Sequence, residues 1–159
     1  MTDSPALGLL EQAATIGQLV YVEQLLFHEL GKARAGLEAP PRLWATAASF
    51  RAAWRAEQLS VLLPVSAGLP TASDLVSSAP EDLAELLGEV VSTADMGEEL
   101  AAATGSIYER LLSVYRGHLK NSVHPADEPF AIVLRRVIAD LEDAGTGLRR
   151  SPEGPGRTT

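Results

Sequence analysis

Apolar residues recur along the chain at intervals of three and four positions, which is the period of α-helices that bury one face. This pattern predicts helices over 4–35, 41–63, 81–122 and 127–145. The segment 64–80 between the second and third is rich in proline, serine and glycine, and it predicts a long connection with at most a short turn of helix. No segment shows the alternating pattern of a β-strand. The sequence therefore predicts an all-α fold.

Turn signals divide the four predicted helices into two pairs. Pro40-Pro41 separates the first two helices, and the two prolines of VHPADEP separate the last two. The pattern weakens at 93–97 and then resumes. Two antiparallel hairpins joined by one long crossover describe a four-helix bundle of the ferritin-like kind. We expect the bundle to span 4–145 and the tail 146–159 to be disordered, because the tail has little apolar content.

Composition restricts the partners. The net charge of −8 makes nucleic acid and anionic membranes unfavourable partners, because both are negatively charged. The chain has no cysteine, which excludes disulfides, thiolate metal sites and cysteine nucleophiles. No signal peptide or membrane span is visible, so we expect a soluble cytoplasmic protein.

Two of the apolar helical stripes contain a glutamate. In the first helix the stripe with intervals of four and three residues includes Glu23, and in the second helix the corresponding stripe includes Glu57. At about 1.5 Å per residue, an antiparallel hairpin places these two acids within one turn of each other. The stripes predict that both carboxylates lie on the buried side. Their members are Ile16, Val20, Glu23, Phe27 and Leu30, and then Leu43, Ala47, Phe50, Trp54, Glu57, Val61 and Pro64.

The second hairpin carries Glu109 and Glu142 at similar distances from its turn. A buried carboxylate costs several kcal/mol unless it is paired, hydrogen-bonded or bound to a cation. One acid per helix near mid-bundle is the ligand arrangement of di-iron and di-manganese bundles.

The segments YVEQLLFHELG, AAWRAEQLSVLLP, YERLLSVYRGHL and HPADEPFAIVLRRVIADLED resemble the ferritin-like superfamily, and in particular a bacterial branch with a D-E-P-T-like turn before the last helix. The resemblance covers about 8–145. It implies a central metal pair, with Glu23 and Glu109 as the lone glutamates of the first and third helices. It also implies that Glu57 and Glu142 open the two Glu-x-x-His motifs.

The chain departs from that family at both histidines. Ser60 stands three residues after Glu57, and Gly145 stands three residues after Glu142. None of the three histidines follows a glutamate at this spacing. We therefore expect a degenerate di-iron site and no cofactor, with iron or manganese as the alternative.

The buried glutamates also have metal-free interpretations. They can form a polar network with Arg51, Arg55, Tyr21 or Tyr108, or Glu23 and Glu57 can act as a general acid and base in a cavity. The residues expected to line a ligand pocket are Phe50, Trp54, Tyr108, Tyr115 and His118.

Three functions stay open. The first is a metal-free ferritin-like protein that binds a small molecule or a partner chain. The second is an enzyme, which predicts a close cluster of buried carboxylates with an access channel. The third is a structural homodimer, which predicts dispersed or salt-bridged acids and an apolar surplus on an outer face.

Overall fold

The computed structural model describes residues 8–149, and within that range it contains helices and no β-strand. The prediction of an all-α fold is confirmed. The six helices are α1 (Leu9–Ala33), α2 (Ala39–Ser60), α3 (Ala72–Leu75), α4 (Glu81–Ser92), α5 (Gly97–Asn121) and α6 (Glu128–Arg149).

Helices α1 and α2 form an antiparallel hairpin with the most extensive helix contact in the described chain. The face of α2 turned toward α1 carries mostly small side chains, so the two backbones approach closely. Ser49 donates a hydrogen bond of 2.9 Å to the carbonyl of Phe27, and a Cβ atom at Gly31 would lie 3.3 Å from the Ser49 hydroxyl. We call this face the inner stripe of α2: Ala45, Ala48, Ser49, Ala52, Arg55, Ala56 and Leu59.

The weak point predicted at 93–97 is a complete reversal of the chain. Helix α4 ends at Ser92, α5 begins at Gly97, and α4 packs back along α5. An ion pair joins Asp82, in the first turn of α4, to Arg110 near the middle of α5. The described chain therefore has five helices of three or more turns, where the sequence predicted four.

These five helices close into a ring. Helix α1 contacts α2 and α4, α4 contacts α5, α5 contacts α6, and α6 returns to α2. Buried leucine, valine and alanine side chains fill the interior, together with Tyr108 and Tyr115 from α5. The hydroxyl of Tyr115 crosses the centre to reach α1.

The crossover is held against α1 by its short helix α3. The Thr71 hydroxyl caps α3 by accepting a hydrogen bond from the backbone N–H of Asp74, and the Asp74 carboxylate accepts one from the backbone N–H of Thr71. Gly17 on α1 has no side chain, and a Cβ atom there would collide with the backbone carbonyl of Leu75. Glycine at this position is therefore what permits the crossover to lie directly on α1.

The C-terminal helix is longer than predicted, since α6 continues to Arg149, about one turn past the expected end near Gly145. Residues 4–7 of the predicted bundle and 150–159 of the predicted tail lie outside the described residues. Among the helices of residues 8–149, none is both long and apolar enough to cross a membrane.

Candidate functional site

Glu23 lies at the centre of the ring and has no exposed surface, as its stripe on α1 predicts. Its Oε1 atom accepts two hydrogen bonds, one of 2.9 Å from Nε of Arg55 on α2 and one of 2.7 Å from the hydroxyl of Tyr115 on α5. Arg55 is also fully buried. Of the alternatives left open for Glu23, the structure shows the polar network, with Arg55 as its basic partner.

The network continues from Arg55 to the surface. Nη1 of Arg55 donates to Oδ2 of Asp140 on α6 at 2.6 Å, and Nε of Arg51 donates to the other oxygen of Asp140 at 2.9 Å. Arg51 then pairs with the exposed Asp143. Acids and bases alternate along this line from the core outward, so Arg55, Asp140 and Arg51 each have two neighbours of opposite charge, and Glu23 and Asp143 at its ends have one. We call these five residues the ionic network: Glu23, Arg55, Asp140, Arg51 and Asp143.

Burial and charge fix the protonation of the network. Burial lowers the pKa of Arg55, but the charge and hydrogen bond of Glu23, together with the nearby hydroxyls of Tyr108 and Tyr115, outweigh burial and the net pKa is raised. Burial, followed by the negative charge of Glu23, raises the pKa of the Tyr115 hydroxyl well above its ordinary value. Tyr115 therefore keeps its proton at any physiological pH, and its hydroxyl donates a hydrogen bond to the carboxylate.

Tyr108 completes the cluster without a hydrogen bond. The guanidinium carbon of Arg55 lies 5.3 Å from the centre of the Tyr108 ring, which is within the range of a cation–π contact. Burial raises the pKa of the Tyr108 hydroxyl. Three buried atoms of the cluster have no hydrogen-bond partner among the described residues: Oε2 of Glu23, Nη2 of Arg55 and the hydroxyl of Tyr108.

The prediction that Glu57 is buried beside Glu23 is wrong. Glu57 is exposed, and so are its stripe neighbours Phe50 and Trp54, at 62% and 39% of their surface. Leu43 and Val61, farther along the stripe on either side, are 74% and 71% exposed. Helix α2 is rotated so that the small inner stripe faces α1, because small residues permit the closer approach. We call the exposed face the outer stripe: Leu43, Ala47, Phe50, Trp54, Glu57 and Val61.

Of the four predicted metal ligands, only Glu109 and Glu142 come together, where both line a surface cavity of about 380 Å³ between α5 and α6. Glu109 and Glu142 are exposed on α5 and α6, one position away from the buried Tyr108 and Leu141. Glu142 accepts a hydrogen bond of 2.7 Å from Arg116. No group of three or more histidine or carboxylate side chains within 8–149 has the arrangement of a metal site. The basic group beside Glu23 is the Arg55 guanidinium.

The five residues predicted to line one pocket lie in three places. Tyr108 and Tyr115 are buried in the centre, Phe50 and Trp54 lie on the outer stripe, and His118 packs its ring 6.1 Å from the ring of Phe130. Burial lowers the pKa of His118 below its ordinary value of 6.5. A shallow groove of about 270 Å³ runs beside the outer stripe and is lined by Gln24, Phe27, Ala53, Ala56, Glu57 and Ser60.

Sequence reasoning missed Asp140, although a signal for it was present. Asp140 follows Val133 and Val137 and precedes Ala144 at intervals of four, three and four, and those three neighbours are buried. The same rhythm that located Glu23 therefore also locates Asp140. Glu142 was selected instead, and it lies one position past the buried Leu141.

Comparison with protein-family models, with curated proteins and with solved structures gave no match to this chain. The site is therefore interpreted from its own geometry. That geometry offers two features on one helix: an ionic network on the inner side of α2, and an apolar stripe on its outer side.

Proposed function

We propose that this chain is a helical assembly protein that forms a homodimer through the outer stripe of α2. The observation that carries this proposal is the exposed stripe itself. Its six positions follow intervals of four, three, four, three and four residues, the spacing of a helix that packs against another helix. No other part of the described chain covers its large side chains, which are between 39% and 74% exposed.

Exposed single apolar residues are common on soluble proteins, whereas large exposed apolar patches mark interaction sites. Leu43, Phe50 and Trp54 lie along one line of α2, and Val61 extends that line one residue past its end, over about 27 Å at 1.5 Å per residue. Two such faces in contact would bury on the order of 1,000 Å², which is near the lower limit for a specific interface. Interfaces of this small size belong to the weak class, and we expect a dissociation constant on the order of micromolar.

The spacing of the stripe supports a second copy of this chain as the partner. The intervals four, three, four, three and four read the same in both directions along the helix. A stripe with this property fits its own copy across a two-fold axis, and two-fold dimers use one patch on both subunits. The charge of the stripe also permits self-contact, because Glu57 is the only charged residue within it.

The distribution of acids supports the same choice among the three functions. Glu23 and Glu142 are salt-bridged to arginines, Glu109 is exposed beside Glu142, and Glu57 is exposed on a different helix. A structural dimer predicts this arrangement together with an apolar surplus on an outer face. An acid–base enzyme requires a substrate to reach Glu23, whose carboxylate has no exposed surface.

The proposal retains a ferritin-like ancestry with a lost metal site. Two features support it: the α1–α2 and α5–α6 hairpins, whose connection here contains the additional helices α3 and α4, and the buried Glu23 near mid-helix. In this account the Arg55 guanidinium supplies the positive charge that a metal ion supplies in an intact site.

The test is light scattering on protein at about 50 μM, which lies above the expected dissociation constant. The wild-type chain should have about twice the 16.8 kDa monomer mass. A Phe50→Ser, Trp54→Ser variant should have the monomer mass while circular dichroism shows an unchanged helix content. The matched control is Val65→Ser, Val123→Ser, which removes two apolar side chains of 100% and 85% exposure off the stripe and should stay dimeric. Equal masses for the stripe variant and the control would contradict the proposal.

A further inference from the structure

We infer that the two copies of α2 pair antiparallel, and that Glu57 sets this orientation. The inference rests on the proposed self-association through the outer stripe. In the antiparallel arrangement the two-fold axis passes between Phe50 and Trp54, level with Ala52. Each outer-stripe position then meets a different position of the other copy.

The antiparallel register places large side chains against large ones. Phe50 lies opposite Trp54 of the partner subunit, and this aromatic contact occurs twice around the axis. At each end, Leu43 lies opposite Val61 of the partner subunit. Offset or edge-to-face aromatic pairs contribute more than their buried area alone, so the centre of the stripe is the strongest part of the interface.

Glu57 distinguishes the two orientations by its charge. In a parallel pair, Glu57 lies next to Glu57 of the partner subunit inside the seam, and like charges in contact are unfavourable. In the antiparallel pair it lies opposite Ala47 of the partner subunit, whose small side chain leaves room for the carboxylate to remain in water. The two glutamates are then about 15 Å apart along the helix axis, at 1.5 Å per residue.

The absence of cysteine from the sequence permits a clean crosslinking experiment. Leu43→Cys and Val61→Cys are made as separate variants, each is oxidised alone, and then the two are mixed, allowed to exchange subunits and oxidised together. The antiparallel arrangement predicts no crosslink in either variant alone, because each cysteine is about 27 Å from its own copy along the axis. It predicts a 43–61 disulfide in the mixture, identified by mass spectrometry of the linked peptides. The same positions within one chain are too far apart for a disulfide.

The outcomes separate the two proposals. Crosslinks of 43 to 43 and 61 to 61 in the single variants would overturn the antiparallel orientation and leave the proposed dimer in place. A dimer by light scattering with no crosslink in any sample would overturn the use of the outer stripe. Monomer mass for the wild-type chain would overturn both.

The role of Glu57 has its own test in the same system. Adding Glu57→Leu to both cysteine variants removes the charge that disfavours the parallel pair. We expect same-residue crosslinks to appear in the single variants, and the dissociation constant to fall about tenfold. Adding Glu57→Gln should give an intermediate share of same-residue crosslinks. An unchanged crosslink pattern in the Leu variant would show that Glu57 does not set the orientation.

Discussion

The inner and outer stripes of α2 are both helical and both continuous, yet they differ in side-chain size. The inner stripe is made of alanine and serine with one arginine and one leucine, and it lies against α1. The outer stripe carries Phe50 and Trp54, and the helices of its own chain leave it exposed. Hydrophobicity alone favours burying the outer stripe. Close contact between backbones favours the small residues, and in this hairpin it decides the rotation of α2.

The polar residues of the two stripes differ in the same way. Arg55 on the inner stripe is fixed by two acids from two other helices, whereas Glu57 on the outer stripe faces solvent. The inner face therefore carries interactions that the fold itself requires. The outer face carries residues that contribute little to the monomer and that we assign to the dimer.

The largest expected difference comes from removing one acid at each face: Glu23 of α1, which pairs with Arg55 of the inner stripe, or Glu57 of the outer stripe. Glu23→Ala leaves the Arg55 guanidinium buried with one fewer partner, which we expect to cost about 3–5 kcal/mol of unfolding free energy. Glu57→Ala removes an exposed carboxylate and should change it by less than about 0.5 kcal/mol. Urea unfolding of both variants in the Phe50→Ser, Trp54→Ser background keeps association out of the comparison. Similar losses for the two variants would contradict the placement of Glu23.

The next effect separates Tyr108 and Tyr115, the two buried tyrosines beside the ionic network. Tyr115→Phe removes a hydrogen bond to a charged carboxylate and should cost about 1.5–3 kcal/mol. Tyr108→Phe removes a hydroxyl that has no partner, so it should be neutral or slightly stabilising. Both variants keep the aromatic ring, and urea unfolding measures both. A loss for Tyr108→Phe as large as that for Tyr115→Phe would show that the Tyr108 hydroxyl has a partner in solution.

A smaller effect comes from enlarging one alanine on each stripe. Ala52 is fully buried against α1, and Ala52→Leu should overpack the hairpin and cost about 1–3 kcal/mol. Ala47 is exposed on the outer stripe, and Ala47→Leu should leave the monomer unchanged and weaken the dimer by about threefold to tenfold, because a leucine takes the room that the Glu57 carboxylate of the partner subunit needs to remain in water. Urea unfolding measures the first and sedimentation equilibrium the second. If Ala47→Leu tightened the dimer, Ala47 would not lie opposite Glu57 of the partner subunit as we propose.

The smallest effect is on the pH dependence of the unfolding free energy, and it comes from His118 on α5. Burial lowers the pKa of His118 in the folded protein below 6.5, so the unfolded chain binds its proton more readily. His118 therefore contributes stability that is complete above pH 6.5 and is lost as the pH falls through the lowered folded pKa. His118→Gln should flatten the stability profile between about pH 7 and pH 5 relative to the wild-type chain. Identical slopes for the two proteins would contradict this assignment.

Sequence reasoning located most of the helices and one of the buried acids. The α1 stripe correctly predicted a buried Glu23, since α1 has one dominant apolar face. Helix α2 has two candidate faces, and a pattern that counts apolar residues without their size selected the wrong one. The α4–α5 reversal was missed as a separate hairpin, because the turn at 93–96 is short and interrupts the pattern only weakly. The spacing along α6 places Asp140 on the buried side, but its pairing with Arg55 depends on which helices become neighbours, and one-dimensional spacing does not contain that information.

The most direct test of this account is sedimentation velocity of the wild-type chain over a concentration series from below 1 μM to about 200 μM, a range that brackets the expected dissociation constant. The account predicts a shift from the 16.8 kDa monomer to twice that mass, with a midpoint on the order of micromolar. The Phe50→Ser, Trp54→Ser variant should sediment as a monomer throughout. A wild-type chain that remains a monomer at the highest concentration would contradict the assignment of the outer stripe of α2 to a dimer interface.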